Sequence, residues 1–183
     1  MNDREILEEV QKIYNDISEW LKYAETKNAG VFAVWTAFLI GIATSDIYWE
    51  LHIYIQILLL FPLLFGLMLT TLTFLPFLNR ISFLKQMCYR KYKGTRNLKN
   101  IVFYQDVFVA VGHKEDRTEA VEEYRRLFSQ KVGHIVQGDL IDEYLQQIVD
   151  VSTVAIMKIY LFGISIRYIF ILLLMVIIGF LIA

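Results

Sequence analysis

The apolar residues of this chain gather into three long runs, separated by segments in which they recur at helical spacing. Residues 29–44 (AGVFAVWTAFLIGIAT) and residues 54–78 hold no charge, and residues 159–183 hold only Arg167. A hydrocarbon core about 30 Å thick needs ~20 apolar residues in a helix to cross it. The pattern therefore predicts three spans, the first slightly short. The intervening SDIYWELH (45–52) is too short to be a domain and makes the first two spans a helical hairpin. Within residues 4–27, Ile6, Val10, Ile13, Ile17, Trp20 and Ala24 step by four and three, the seam spacing of a packed helix pair. Asp116, with Glu119 behind it, reads as the start of a second helix whose inner face is Val121, Tyr124, Leu127 and Phe128. Asp139 opens a third, with Ile141, Leu145, Ile148, Val151, Ser152, Ala155 and Ile159 inward. No Pro or Gly interrupts 140–162, so this helix is expected to run on into the last span.

Two stretches are less clear. Residues 90–97 (RKYKGTRN) read as a basic turn at Gly94, and residues 101–110 (IVFYQDVFVA), short and ambiguous between strand and helix, are assigned to helix. The expected fold class is an all-α membrane protein, three transmembrane helices extending into a cytoplasmic helical layer. Residues 1–28 form a cytoplasmic amphipathic helix, 29–78 the transmembrane hairpin, 79–158 a cytoplasmic basic and helical segment, and 159–183 the C-terminal span.

Composition agrees. Of 183 residues, 56% are hydrophobic and 15% aromatic, above the 45–50% apolar content usual for soluble domains. The net charge of −1 conceals an asymmetry: residues 1–28 carry four basic and seven acidic side chains, whereas residues 80–99 carry seven basic ones and no acid. Lys and Arg near span ends set orientation. Loop 45–52 has none and segment 79–158 has thirteen, so the N-terminus and central segment are expected inside, the hairpin loop and C-terminus outside. The acidic start MNDREILEEV lacks a secretory n-region, so no cleaved leader is expected. One cysteine, Cys88, allows no internal disulfide and fits a reducing compartment.

Candidate chemistry is sparse. His52, His113 and His134 are far apart in sequence, and no HExxH, CxxC, GxSxG or phosphate-loop pattern occurs. No catalytic residue, metal site or cofactor is expected, and the chain is read as a non-enzyme. Ala29, Ala33, Ala37 and Gly41 place small residues at every fourth position of the first span, a stripe that lets helices approach closely, within the chain or between copies. Arg167, eight residues into an apolar run, either snorkels to the headgroups or faces a watery path; buried in lipid it costs at least ~2.5 kcal/mol. Thr70, Thr71, Thr73 and Gln56 are further polar groups within spans, satisfied on their own helix or lining a conduit. The basic run is what positive-inside orientation demands, yet its interleaved Tyr89 and Tyr92 also suit a phosphorylated, stackable ligand. On that reading Arg90, Lys93, Arg96 and Lys99 receive phosphates and Tyr92 stacks a base.

The stretch Trp20-Leu-Lys-Tyr-Ala-Glu25-Thr-Lys27-Asn-Ala-Gly30 resembles the opening motif of the Pycsar-type transmembrane effector domain family: an amphipathic helix ending in an aromatic, an acid-x-Lys, then a small-residue span. The mid-chain IVFYQDV resembles that family's aromatic segment, and Ser152 with Lys158 its last-helix Ser and Lys. The order of motifs covers residues 10–180. Glu25 stands where Asp is usual, and Tyr104-Gln105 where a glycine is. The resemblance implies an anti-phage effector of the bacterial inner membrane. It would be a homo-oligomeric pore or ion channel, with a tetramer among its possible assemblies, answering a nucleotide second messenger from a partner nucleotidyltransferase or cyclase. The messenger is a cyclic mononucleotide, a cyclic oligonucleotide or a short linear oligonucleotide. The outcome is depolarisation and growth arrest or abortive infection. Arg167 and Thr70 would then belong to the pore, and Glu25, Lys27 and Lys158 to a gating ion-pair network at the membrane boundary. The alternative is a non-conducting anchor whose cytoplasmic helices dock a partner protein.

Overall fold

A computed structural model describes residues 3–75, 78, 81–95, 103–114, 116–133 and 138–182, and every regular element among them is a helix. In chain order these are α1 (Asp3–Ala43), α2 (Asp46–Glu50), α3 (Ile53–Leu72), α4 (Ser82–Tyr92), a 3-10 turn (Lys93–Thr95), α5 (Tyr104–Val111), α6 (Arg117–Val132) and α7 (Asp139–Ile182). Three of them, α1, α3 and α7, are long and apolar enough to cross a bilayer. The protein is thus an all-α membrane protein. It divides into two compact units: a helical unit of Met1–Ala24 with Phe77–Lys158, and a membrane unit of Glu25–Pro76 with Ile159–Ala183. Helices α1 and α7 each contribute to both.

In the helical unit the α1 seam is buried at Ile6, Val10, Ile13, Ile17 and Ala24. It faces α7: the Tyr14 ring meets Tyr144 edge-on at 5.7 Å, and Gln11 Nε2 donates to the Tyr144 hydroxyl at 3.3 Å. The seam is therefore used inside the chain. Trp20, expected on the same stripe, is 38% exposed. Its indole instead joins Tyr23, Phe103 and Tyr104, with ring centroids 5.3–5.6 Å away. Helix α5 is largely enclosed: Tyr104 and Val107 through Val111 are all buried, with Gln105 and Asp106 partly exposed. Burial around most of the helix explains why its sequence shows no clear period.

One local expectation changes. Arg90, Lys91 and Tyr92 form the last turn of α4, not a turn of irregular chain, and the tight turn begins only at Lys93. Cations in a last turn complement the negative end of the helix dipole, and no breaker precedes Gly94. Loop 45–52 contains the helix α2, held closed by Gln56, whose Nε2 donates to the carbonyls of Tyr48, Trp49 and Leu51. Asp116 does cap α6, accepting from Thr118 N at 2.9 Å, and Gly133 ends it in the left-handed region at φ +71°. Helix α7 runs unbroken for 44 residues.

The membrane unit is organised by Trp35. With Val31, Leu63 and Leu172 it forms the buried core, drawing one helix each from α1, α3 and α7. Its indole lies on the bare backbone of Gly66, where a Cβ would fall 2.2–2.5 Å from the ring. Outward from this core, Tyr54, Phe61, Leu64, Phe170, Leu174 and Ile177 are exposed, as lipid-facing residues are. Threonines in the spans return their hydroxyls to the preceding turn: Thr36 to Phe32, Thr44 to Ile40, Thr71 to Leu67. Overpacking a tight contact costs about 1–3 kcal/mol. Gly66→Ala is therefore expected to lower the thermal midpoint in detergent and to alter Trp35 fluorescence, while Gly30→Ala, with open space around it, leaves both unchanged.

Candidate functional site

The helical unit holds an open cleft of about 1040 Å³. One wall is α4, which presents Ser82, Lys85, Gln86, Tyr89 and Arg90. These positions are spaced three, one, three and one apart, a single helical face. The second wall is the end of α5 and the turn into α6, with Gly112, His113, Lys114 and Arg117. The floor comes from buried Ala120 of α6 and Val149 and Thr153 of α7, beside Asp150. Thr153 keeps its hydroxyl on its own helix, donating to Val149 O at 2.8 Å.

Four fixed positive charges, Lys85, Arg90, Lys114 and Arg117, thus converge against one carboxylate. Lys85 Nζ donates to the Lys114 carbonyl at 2.5 Å, tying α4 to the second wall. Lys114 Nζ lies 3.4 Å from the exposed Glu119 carboxylate. Arg117 grips Asp150 through both Nη2, at 2.5 Å, and Nε, at 3.0 Å. The Tyr89 and His113 rings stand 6.2 Å apart, tilted by 43°. A basic cleft with two aromatic rings and an apolar floor is suited to an organic anion bearing phosphate.

The residues singled out from sequence distribute unevenly. Arg90 lines the cleft. Tyr92 and Lys93 do not: the Tyr92 ring lies under Lys91 Nζ at 5.1 Å, and Lys93 is exposed. Arg96 and Lys99 lie outside the described residues. In the membrane unit, Thr70 is buried and donates back to the carbonyls of Gly66 and Leu67, both at 3.0 Å. Lys27 Nζ sits 5.3 Å above the Phe162 ring, Glu25 is exposed, and Arg167 is exposed on α7. Lys158, in the helical unit, is only 5% exposed. His113, Lys114, Arg117 and Asp150 were not singled out from the sequence. The GHK and DR pairs of 112–117 were the available signal, masked by reading His113 as isolated.

Fold and cleft together describe an all-α membrane protein with three helices long and apolar enough to span and a helical unit that carries a basic cleft. The Pycsar effector protein domain matches residues 9–183, nearly the whole chain, and the chain belongs to that family, which makes it an effector of anti-phage defence. No curated protein and no solved structure matches it.

Cys88 sits on α4 behind the cleft face, wholly buried. Burial pushes its thiol up to about 12, opposed only in part by Lys91. A thiol held protonated is a poor nucleophile, so maleimide is expected to leave the folded protein unlabelled at neutral pH and to react once detergent-denatured. Because the folded state keeps the proton that the unfolded state releases, stability should fall as pH rises from the ordinary thiol range to about 12. Cys88→Ala, followed by chemical denaturation at pH 8 and pH 10.5, should remove that part of the pH slope.

Proposed function

We propose that this protein is an inner-membrane effector whose helical unit binds a phosphate-bearing nucleotide in the cleft of Lys85, Arg90, Lys114 and Arg117, and that binding controls a homo-oligomeric pore. The observation that carries this reading is that one unbroken helix, α7, furnishes both the floor of the cleft and a span. The nucleotide is made by a partner nucleotidyltransferase or cyclase, and the helical unit faces the cytoplasm, where the excess of Lys and Arg belongs. Flux through the pore depolarises the membrane and arrests the infected cell.

Several features support assembly from copies. Ala29, Ala33, Ala37 and Gly41 are all exposed in the single chain, leaving the small-residue stripe available to another helix in lipid. Arg167 is exposed as well, and a charge at that depth is tolerated facing water or a partner. Turning a channel from 1:99 to 99:1 needs about 5.5 kcal/mol of differential binding. Several clefts acting together, each with charge-assisted contacts of about 1.5–3 kcal/mol, reach that figure. Glu25 and Lys27 in the membrane unit and Lys158 in the helical unit are each proposed to take part in gating.

The test is ion flux from liposomes carrying the purified protein, measured with cyclic mononucleotides, cyclic dinucleotides and short linear oligonucleotides. One nucleotide is expected to switch flux on or off, Arg90→Glu to abolish that response, and Lys131→Glu, an exposed change away from the cleft, to preserve it. Arg167→Leu should reduce conductance. Absence of flux with all of them, from inserted and folded protein, would favour instead an anchor that docks a partner protein.

A further inference from the structure

Helices α6 and α7 are pinned by two ion pairs in antiparallel register. Arg117 meets Asp150, and eight residues on, Arg125 meets Asp142 at 2.8 Å, eight residues earlier on α7. The two clasps join the same pair of helices but differ in geometry and surroundings: Arg117 donates to Asp150 from Nε and Nη2, whereas Arg125 and Asp142 meet as an ion pair. Arg125 and Asp142 stand away from the cleft, whereas Arg117 and Asp150 both line it. The Arg117 side chain is 59% exposed and that of Asp150 30% exposed, so water reaches the pair and it can exchange partners. Arg117 is held by a carboxylate of α7. Lys85 is held by a backbone carbonyl, and Lys114 lies near Glu119 at the start of α6.

We infer that Asp150 occupies the cleft's anion position in the resting protein, and that a phosphate group enters by displacing it from Arg117, so that binding unclasps α7 at that point. The inference rests on the cleft being the ligand site and adds how the site is regulated. The physical argument is substitution of like for like. Arg117 presents Nε and Nη2 to the two oxygens of one carboxylate, the same fork that accepts two oxygens of a phosphate. A phosphate group in the cleft has Lys85, Arg90 and Lys114 around it as well as Arg117, whereas Asp150, among the described residues, pairs with Arg117 alone, so the phosphate outcompetes it. Displacement leaves the Asp150 carboxylate beside a newly arrived anion, and the repulsion acts directly on α7, the helix that becomes the last span. The second clasp, Arg125–Asp142, remains closed and acts as the fixed point.

The experiment uses the full chain in detergent with inorganic pyrophosphate as the probe, titrated by calorimetry at low salt. If Asp150 is a built-in competitor, removing its charge frees Arg117. Asp150→Asn should bind pyrophosphate about three- to fivefold more tightly than the unaltered chain. Asp142→Asn, which breaks the second clasp outside the cleft, should leave the affinity within twofold. Arg117→Gln should weaken binding by about tenfold or more. Amide hydrogen exchange over residues 146–154 should rise when pyrophosphate binds the unaltered chain and be raised already in free Asp150→Asn, while exchange over α3 stays unchanged and reports that the fold is intact. Equal or weaker binding by Asp150→Asn, with Arg117→Gln still impaired, would overturn the displacement and leave the cleft standing as the ligand site. Failure of the unaltered chain to bind pyrophosphate would overturn the cleft reading itself, and the inference with it.

Discussion

The backbone hydrogen-bond ladder of α7 is the constraint around which the other elements are arranged. At about 1.5 Å per residue, its 44 residues extend some 66 Å. An apolar medium offers the backbone no partners, so a chain that crosses it satisfies every amide internally. The sequence maintains the ladder by excluding Pro from α7 and Gly from 140–162. It is also kept by sending polar hydroxyls back to the helix, as Thr153 does to Val149. Because the ladder never breaks, the same helix supplies Ile141, Leu145 and Ile148 to the helical core, Val149 and Asp150 to the cleft, and Leu172 to the packing around Trp35. On the proposed reading, a ligand beside Asp150 acts on the helix that also supplies a span.

The charged groups on this frame contribute little to stability. Arg117–Asp150, Arg125–Asp142, Arg126–Glu123 and Arg4–Glu8 are all partly or largely exposed, and such pairs are worth roughly 0–1 kcal/mol. Stability comes from the apolar contacts beneath them: Tyr124 and Phe128 on α6, the largely enclosed α5, and the α1 seam against α7. What exposed pairs do offer is ready exchange. A pair worth little is easily traded for another anion, so weak clasps over a firm apolar core suit a surface whose electrostatics change on binding.

Much of this architecture is written in hydrophobic period. The three spans, the α1 seam, the capped start of α6 at Asp116 and the inward face of α7 follow from spacing alone, because each element buries a stripe of its own. The site is less legible for a physical reason. Its walls come from 82–90, 112–117 and 149–153, and nothing local says that these segments meet. Reading 90–97 as a turn also broke the one clue available. Ser82, Lys85, Gln86, Tyr89 and Arg90 share a helical face only if α4 continues through Tyr92, as it does. With that face recognised, Arg90 belongs with Lys85 and Tyr89, and Lys93, beyond the last turn, does not. Trp20 fails the periodic reading for the opposite reason: it fits the seam by number but finds three other aromatic rings instead.

The same reasoning bears on how many chains the proposed pore requires. Regular seams are a common argument for self-association, yet the α1 seam residues Ile6, Val10, Ile13, Ile17 and Ala24 are already buried within their own chain. The membrane unit is otherwise disposed. Its core of Val31, Trp35, Leu63 and Leu172 fills the space between three helices with side chains, and Gly66 lets the indole close the last gap. Buried Thr70 is satisfied by its own helix. The aqueous path of the proposed reading lies outside the single chain, on the surface where Ala33, Ala37, Gly41 and Arg167 are exposed. On the proposed reading the pore is a property of the assembly, and the residues that line it are those the isolated chain leaves uncovered.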